Sequence, residues 1–194
     1  MLSMINKIYK RAYRIFSYFF WKRKLKNFGK GSFIDRPLHI DGVNISIGNN
    51  VFIQYKSWLA AMPLTDCKKP ILQIENGSVI GHFNEIYATR KIIIQKNVLT
   101  ADRVYISDNL HGYKDISIPI IKQKIVQNGN GVVIGEGSWI GVGVAIIGAS
   151  IGKHCIIGAN SVVTHDIPDY CVAVGVPAKV IKQYNFETQT WENL

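Results

Sequence analysis

The sequence predicts an all-β chain, a left-handed parallel β-helix of hexapeptide repeats with an N-terminal helix and a protruding loop. Three observations predict it: aliphatic residues recur at a step of six, glycine repeatedly follows them, and two polar inserts interrupt the pattern. The step matches neither the helical 3.6 nor the strand period of two. With 194 residues, 47% apolar and 19% charged, the chain can bury a substantial core in one folded unit.

Residues 1–30 form a basic segment carrying Lys7, Lys10, Arg11, Arg14, Lys22, Arg23, Lys24, Lys26 and Lys30 and no acid, which accounts for most of the net charge of +10. Within it, Ile5, Ile8, Tyr9, Ala12, Ile15, Phe16, Phe19 and Phe20 fall along one stripe of a helix, with most cations elsewhere. Such a helix either lies on a membrane surface through residues 1–26 or packs against the rest of the protein. The apolar stretch Ile15–Trp21 is too short for a membrane span, and no signal-peptide cleavage pattern follows it. The basic patch is unaccompanied by a helix-turn-helix, zinc-finger or RNA-binding signature, so no nucleic-acid partner is expected.

Residues 31–183 hold the repeat. One run is Ile47, Ile53 and Leu59; the next Ile74, Ile80 and Ile86; then Ile94, Thr100 and Ile106; then Ile134, Ile140 and Ile146; and, after a one-residue shortening, Ile151, Ile157 and Val163. Each hexad makes a short strand and a turn, and three strands close a triangular coil with one large side chain inward per edge. Glycine after the aliphatic position, as in Ile80-Gly81 and Ile140-Gly141, is expected to supply the backbone dihedrals of the corners. A sandwich or barrel would instead alternate at period two.

Residues 60–73 and 109–131 break the pattern, and residues 184–194 follow it as a tail. Loops on a rigid scaffold are where chemistry is usually carried. Cys67, Cys155 and Cys171 are odd in number and lack a CxxC pairing, which suits a reducing cytoplasm and neither a disulfide framework nor a zinc site.

The hexads, together with Val133–Ile181 in the wider run GVVIGEGSWIG…VPAKVIKQY, resemble the hexapeptide-repeat acetyltransferases of the maltose and galactoside O-acetyltransferase type. The basic N-terminus and the tail with Tyr184, Phe186 and Trp191 are similar to lipopolysaccharide O-antigen and capsule O-acetyltransferases. The resemblance implies acetyl-coenzyme A as donor, a saccharide acceptor, no metal, and a homotrimer with active sites between subunits. It implies His111, in SDNLHGY, as general base; many polysaccharide members read SDHNHG there, and this chain has Asn109 in place of the first histidine. Asp108 either orients the imidazole or caps the turn.

A histidine suits the chemistry, because an alcohol must lose its proton as it attacks a thioester and imidazole titrates near neutral pH. The resemblance further implies coenzyme A contacts from Trp139, Gly141, Ala159, Thr164, Lys179 and Lys182. Gly141 and Ala159 would admit the pantetheine close to the backbone, the Gly141 N–H would be a candidate oxyanion donor, and the lysines would meet phosphates. Ala159 and Thr164 are equally readable as ordinary corner residues. In the loop, Tyr113 and Lys114 are candidate sugar contacts.

Three rivals remain. An N-acetyltransferase of a nucleotide-linked amino sugar would use the same scaffold and base. A zinc-dependent carbonic anhydrase of this fold needs three histidines, and His82 and His111 lack a third at that spacing. A non-catalytic β-helix scaffold would leave the SDNLHGY loop without a role.

Overall fold

Helix α1 (Leu2–Lys24) leads into strands that wind through three faces in turn. The structure is a computed structural model that describes the backbone of residues 2–41 and 43–194 and, of these, the side chains from residue 12 onward. The side chains of Ile5, Ile8 and Tyr9 in the expected stripe lie outside the described residues.

The first coil is β1 (Asn27–Phe28), β2 (Phe33–Ile34) and β3 (His39–Asp41); the second is β4 (Ile45–Ile47), β5 (Phe52–Ile53) and β6 (Trp58–Ala61). After an insert come β7 (Ile71–Ile74), β8 (Val79–Ile80) and β9 (Glu85–Ala88), then β10 (Lys91–Ile94), β11 (Leu99–Thr100) and β12 (Tyr105–Ser107). A hairpin of β13 (Asn109–His111) and β14 (Ile125–Gln127) then leaves the prism. Winding resumes with β15 (Val132–Ile134), β16 (Trp139–Ile140) and β17 (Ala145–Ile147), and continues through β18 (Ile156–Ile157), β19 (Val162–Val163) and β20 (Cys171–Gly175). The antiparallel strands β21 (Ala178–Asn185) and β22 (Thr190–Asn193) finish the chain. This is the left-handed parallel β-helix of the sequence reading.

The period of six becomes stacking in register. On the first face Phe28, Ile47, Ile74, Ile94 and Ile134 lie one above another. The second face stacks Ile34, Ile53, Ile80, Thr100, Ile140, Ile157 and Ala173. The third stacks Ile40, Leu59, Ile86, Ile106, Ile146 and Val163. Nearly all of these side chains are fully buried, each worth about 1.5–3 kcal/mol of hydrophobic stabilisation. Thr100 joins the ladder because its hydroxyl is satisfied: it donates to Asn84 Oδ1 at 2.9 Å and accepts from the Gly81 N–H at 3.1 Å.

Three expectations are refined. The β-helix starts earlier than residue 31, because Phe28, Ile34 and Ile40 already keep the step of six. The first break spans only residues 62–70, since β6 reaches Ala61 and β7 starts at Ile71. The glycines after the aliphatic positions serve packing, not unusual dihedrals. Left-handed backbone falls three residues after the aliphatic position, at Asn50, Asn97 and Asn160 among others. At Gly81 a Cβ would sit 2.3 Å from the Ala101 carbonyl oxygen of the next coil. Gly81→Ala is therefore expected to cost about 2 kcal/mol through forced separation of the coils, read as a lowered urea midpoint.

Helix α1 covers the open end of the first coil. Ser17 is buried and its hydroxyl donates to the Ile34 carbonyl at 3.3 Å, while Tyr18, Trp21 and Leu25 pack on the core. At the other end, β21 and β22 pair onto the second face, so the expected tail is a continuation of that sheet.

Candidate active site

The hairpin of β13 and β14 leaves the corner between the third and first faces, and its root is held by a dense hydrogen-bond cluster. One Asp108 oxygen accepts from the Thr89 N–H at 2.7 Å and hydroxyl at 3.0 Å, and from the Asn109 amide at 3.2 Å. The other accepts from the backbone N–H groups of Arg90 at 2.8 Å and Lys91 at 2.7 Å. Burial pushes the Asp108 carboxyl up, but these donors outweigh it and hold it below the usual carboxylate range. The Asp108 carbonyl accepts from the Gln127 amide at 2.6 Å and the Asn128 N–H at 2.9 Å, which ties β14 back to the same corner.

Of the two readings of Asp108, orienting the imidazole or capping the turn, this geometry fits the second. Both carboxylate oxygens are engaged with the adjoining turn, so Asp108 positions the arm and not the imidazole. Asn109 belongs to the same cluster, and its amide also reaches the Tyr87 carbonyl at 3.2 Å. Thr89 and Gln127 were not singled out from the sequence, because nothing local marks them. The coil register brings Thr89 to Asp108, and the pairing of β13 with β14 brings Gln127.

His111 ends β13 opposite Ile125 with its side chain exposed, and the Gly112 N–H closes the next hairpin rung on the Lys124 carbonyl at 2.9 Å. Past it, Tyr113 and Lys114 line a pocket of about 460 Å³ within the arm, together with Leu110, Gln123 and Val126.

The candidate donor contacts divide between two corners. Trp139 stands on the outside of the second face, half exposed, between Leu99 and Ile156 in neighbouring coils. Ile156 adjoins Val172, and Val172 adjoins Lys182, so an apolar ladder runs into a cation over about 14 Å. Lys179 lies on the same strand as Lys182, opposite Val174. An apolar arm ending in phosphates fits this ladder. Ala159 is exposed at the corner between the second and third faces. Thr164 lies instead at the corner of the hairpin, in the coils beyond it, with its hydroxyl 3.0 Å from His165 Nδ1.

Gly141 does not meet its expectation. Its N–H donates to the Ile157 carbonyl at 2.9 Å and is not free for an oxyanion, and a Cβ there would meet that same oxygen at 2.7 Å. Its smallness serves contact between coils. One protomer therefore places His111 and Thr164 on one flank of the third face, and Trp139, Ala159, Lys179 and Lys182 on or beyond the other.

No family model matches the chain. It is 43% identical over 115 residues to a Mycobacterium tuberculosis protein named as an acetyltransferase, covering 59% of this chain and 37% of that one. It is 37% identical over 119 residues to an Escherichia coli protein named for O-acetyl transfer in lipopolysaccharide biosynthesis, covering 58% of this chain and 61% of that one. These likenesses are consistent with the hexapeptide-repeat acetyltransferase family. The chain spans less than two thirds of the length of either relative. In fold it is similar to an N-acyltransferase from Bacillus cereus crystallised with dTDP and coenzyme A, with a TM-score of 0.70, 22% identity and coverage of 86% of this chain and 88% of that one.

Proposed function

We propose that the protein transfers an acetyl group from acetyl-coenzyme A to a saccharide hydroxyl in surface polysaccharide or lipopolysaccharide synthesis, with His111 as general base. The observation that carries this is the exposed His111 on a rigidly rooted arm at one flank of a face, with the Trp139-to-Lys182 ladder reaching the other. The hydroxyl oxygen attacks the thioester carbon while the imidazole takes its proton. Collapse of the tetrahedral intermediate expels the thiolate, which recovers that proton from the imidazolium. Trp139 and its aliphatic neighbours would hold the pantetheine, Lys179 and Lys182 the phosphates, and Tyr113 and Lys114 the acceptor.

The divided site calls for a second copy. The third face presents Trp58, Tyr87 and Tyr105 with ring centroids 5.6 and 5.9 Å apart, followed by Ala145 and Val162, a mainly apolar surface in which Glu85 stands between Trp58 and Tyr105 and accepts from the Tyr87 hydroxyl at 3.3 Å. A homotrimer with this face on its axis would bring the His111 corner of each protomer beside the Ala159 corner of the next. Unpaired thiols at Cys67, Cys155 and Cys171 suit a cytoplasmic setting.

The test is free-thiol release from acetyl-coenzyme A with oligosaccharide acceptors, run beside nucleotide-linked amino sugars. Turnover with oligosaccharides supports O-acetyl transfer; turnover confined to amino sugars replaces it with N-acetyl transfer; none with either overturns the enzyme reading. The shared site has its own consequence. Trp139→Ala and His111→Ala, each nearly inactive alone, should regain turnover when refolded together, because mixed trimers contain intact interfaces. Mixtures no more active than their parts would exclude a site between subunits.

A further inference from the structure

Among the described residues, helix α1 packs on the first coil along one edge. Ser17, Tyr18 and Trp21 face the prism, while Ile15, Phe16, Phe19 and Phe20 on the opposite edge are 54%, 68%, 58% and 41% exposed. Three phenylalanines and an isoleucine exposed on one helix edge form an apolar patch left uncovered among the described residues. The packing alternative raised by the sequence is thus met by one edge, and a second edge is left over.

We infer that this second edge docks on the surface of an anionic lipid bilayer. The surrounding charge is of one sign: Arg14, Lys22, Arg23 and Lys24 on the helix are followed by Lys26 and Lys30, and no acid precedes Asp35. Aromatic side chains with cations beside them match the boundary between acyl chains and anionic headgroups, where rings enter the apolar layer and cations remain at the phosphates. No helix among the described residues is long and apolar enough to cross a membrane, so the helix would lie along the surface.

A groove of about 640 Å³ between α1 and the first coils extends the apolar edge. It is lined by Ile15, Phe19, Phe33 and Phe52, with Arg14 and Lys30 also bordering it. The Arg14 guanidinium lies 4.9 Å from the centre of the Phe33 ring, which keeps a cation against the apolar surface. The docking edge is at the opposite end of the prism from Lys179 and Lys182, so a bound bilayer leaves the donor ladder open. The inference stands independently of acetyl transfer.

The experiment is flotation of the full chain with phosphatidylcholine vesicles containing or lacking phosphatidylglycerol, beside size measurement without vesicles. The native chain should float with the anionic vesicles and be released by high salt. Phe16→Ser/Phe19→Ser should lower the bound fraction about tenfold or more through lost apolar burial. Arg23→Glu/Lys24→Glu should lower it similarly while leaving Ser17, Tyr18 and Trp21 packed, which covers the case in which the first variant melts early. Absence of flotation, or equal flotation of native and both variants, overturns the inference. So does self-association without vesicles that Phe16→Ser/Phe19→Ser abolishes, because a second copy would then cover the edge.

Discussion

His111→Ala is expected to reduce acetyl transfer by about a thousandfold, the usual scale for losing a positioned general base, with the unfolding free energy unchanged to within about 0.5 kcal/mol. The side chain is exposed at the end of β13, and the hairpin is held by its backbone rungs and by the Asp108 cluster, none of which needs the imidazole. Thiol release measured beside a urea titration of the same sample checks both halves. Turnover within a few-fold of native would remove His111 from the mechanism.

Asp108→Ala is expected to behave in the opposite way, as a stability variant with activity falling only as the arm loses its root. It would leave the backbone N–H groups of Thr89, Arg90 and Lys91 without their acceptor, at a cost of about 4 kcal/mol. Asp108→Asn keeps one acceptor oxygen and should cost about half as much. The pH dependence follows from the direction of the shift. Because the folded carboxyl is held below its unfolded value of about 3.9, its contribution is fully present above that pH and is lost as pH falls through the folded value. The native urea midpoint should therefore lie above that of Asp108→Ala at neutral pH and approach it as pH falls through the folded value. A native-like midpoint for Asp108→Ala at neutral pH would contradict the structural role.

The contrast between these two residues shows how far the sequence reached. The resemblance carried by SDNLHGY singles out His111, but the same motif left Asp108 open between orienting the base and capping a turn. The difference lies in Thr89, Arg90 and Lys91, which are distant in sequence and adjacent only because β9 and β12 stack. Gly141 shows the same limit. Its identity suggested close approach of a ligand, whereas the neighbour it accommodates is the next coil of its own chain.

What the sequence by itself determined is the scaffold: a step of six with aliphatic residues inward dictates strand, turn and face, since each hexad repeats the same local geometry and buries its side chain against the same position one coil away. It also determined that an insert at residues 109–131 interrupts the winding and that the first helix is basic and amphipathic. Tertiary structure alone decided which glycines serve packing, which edge of α1 remains exposed, and that His111 and the Trp139 ladder flank opposite sides of one face. These depend on distances between coils and on the corner from which each segment departs, and a periodic sequence encodes its own repeat far more directly than the relative placement of what interrupts it.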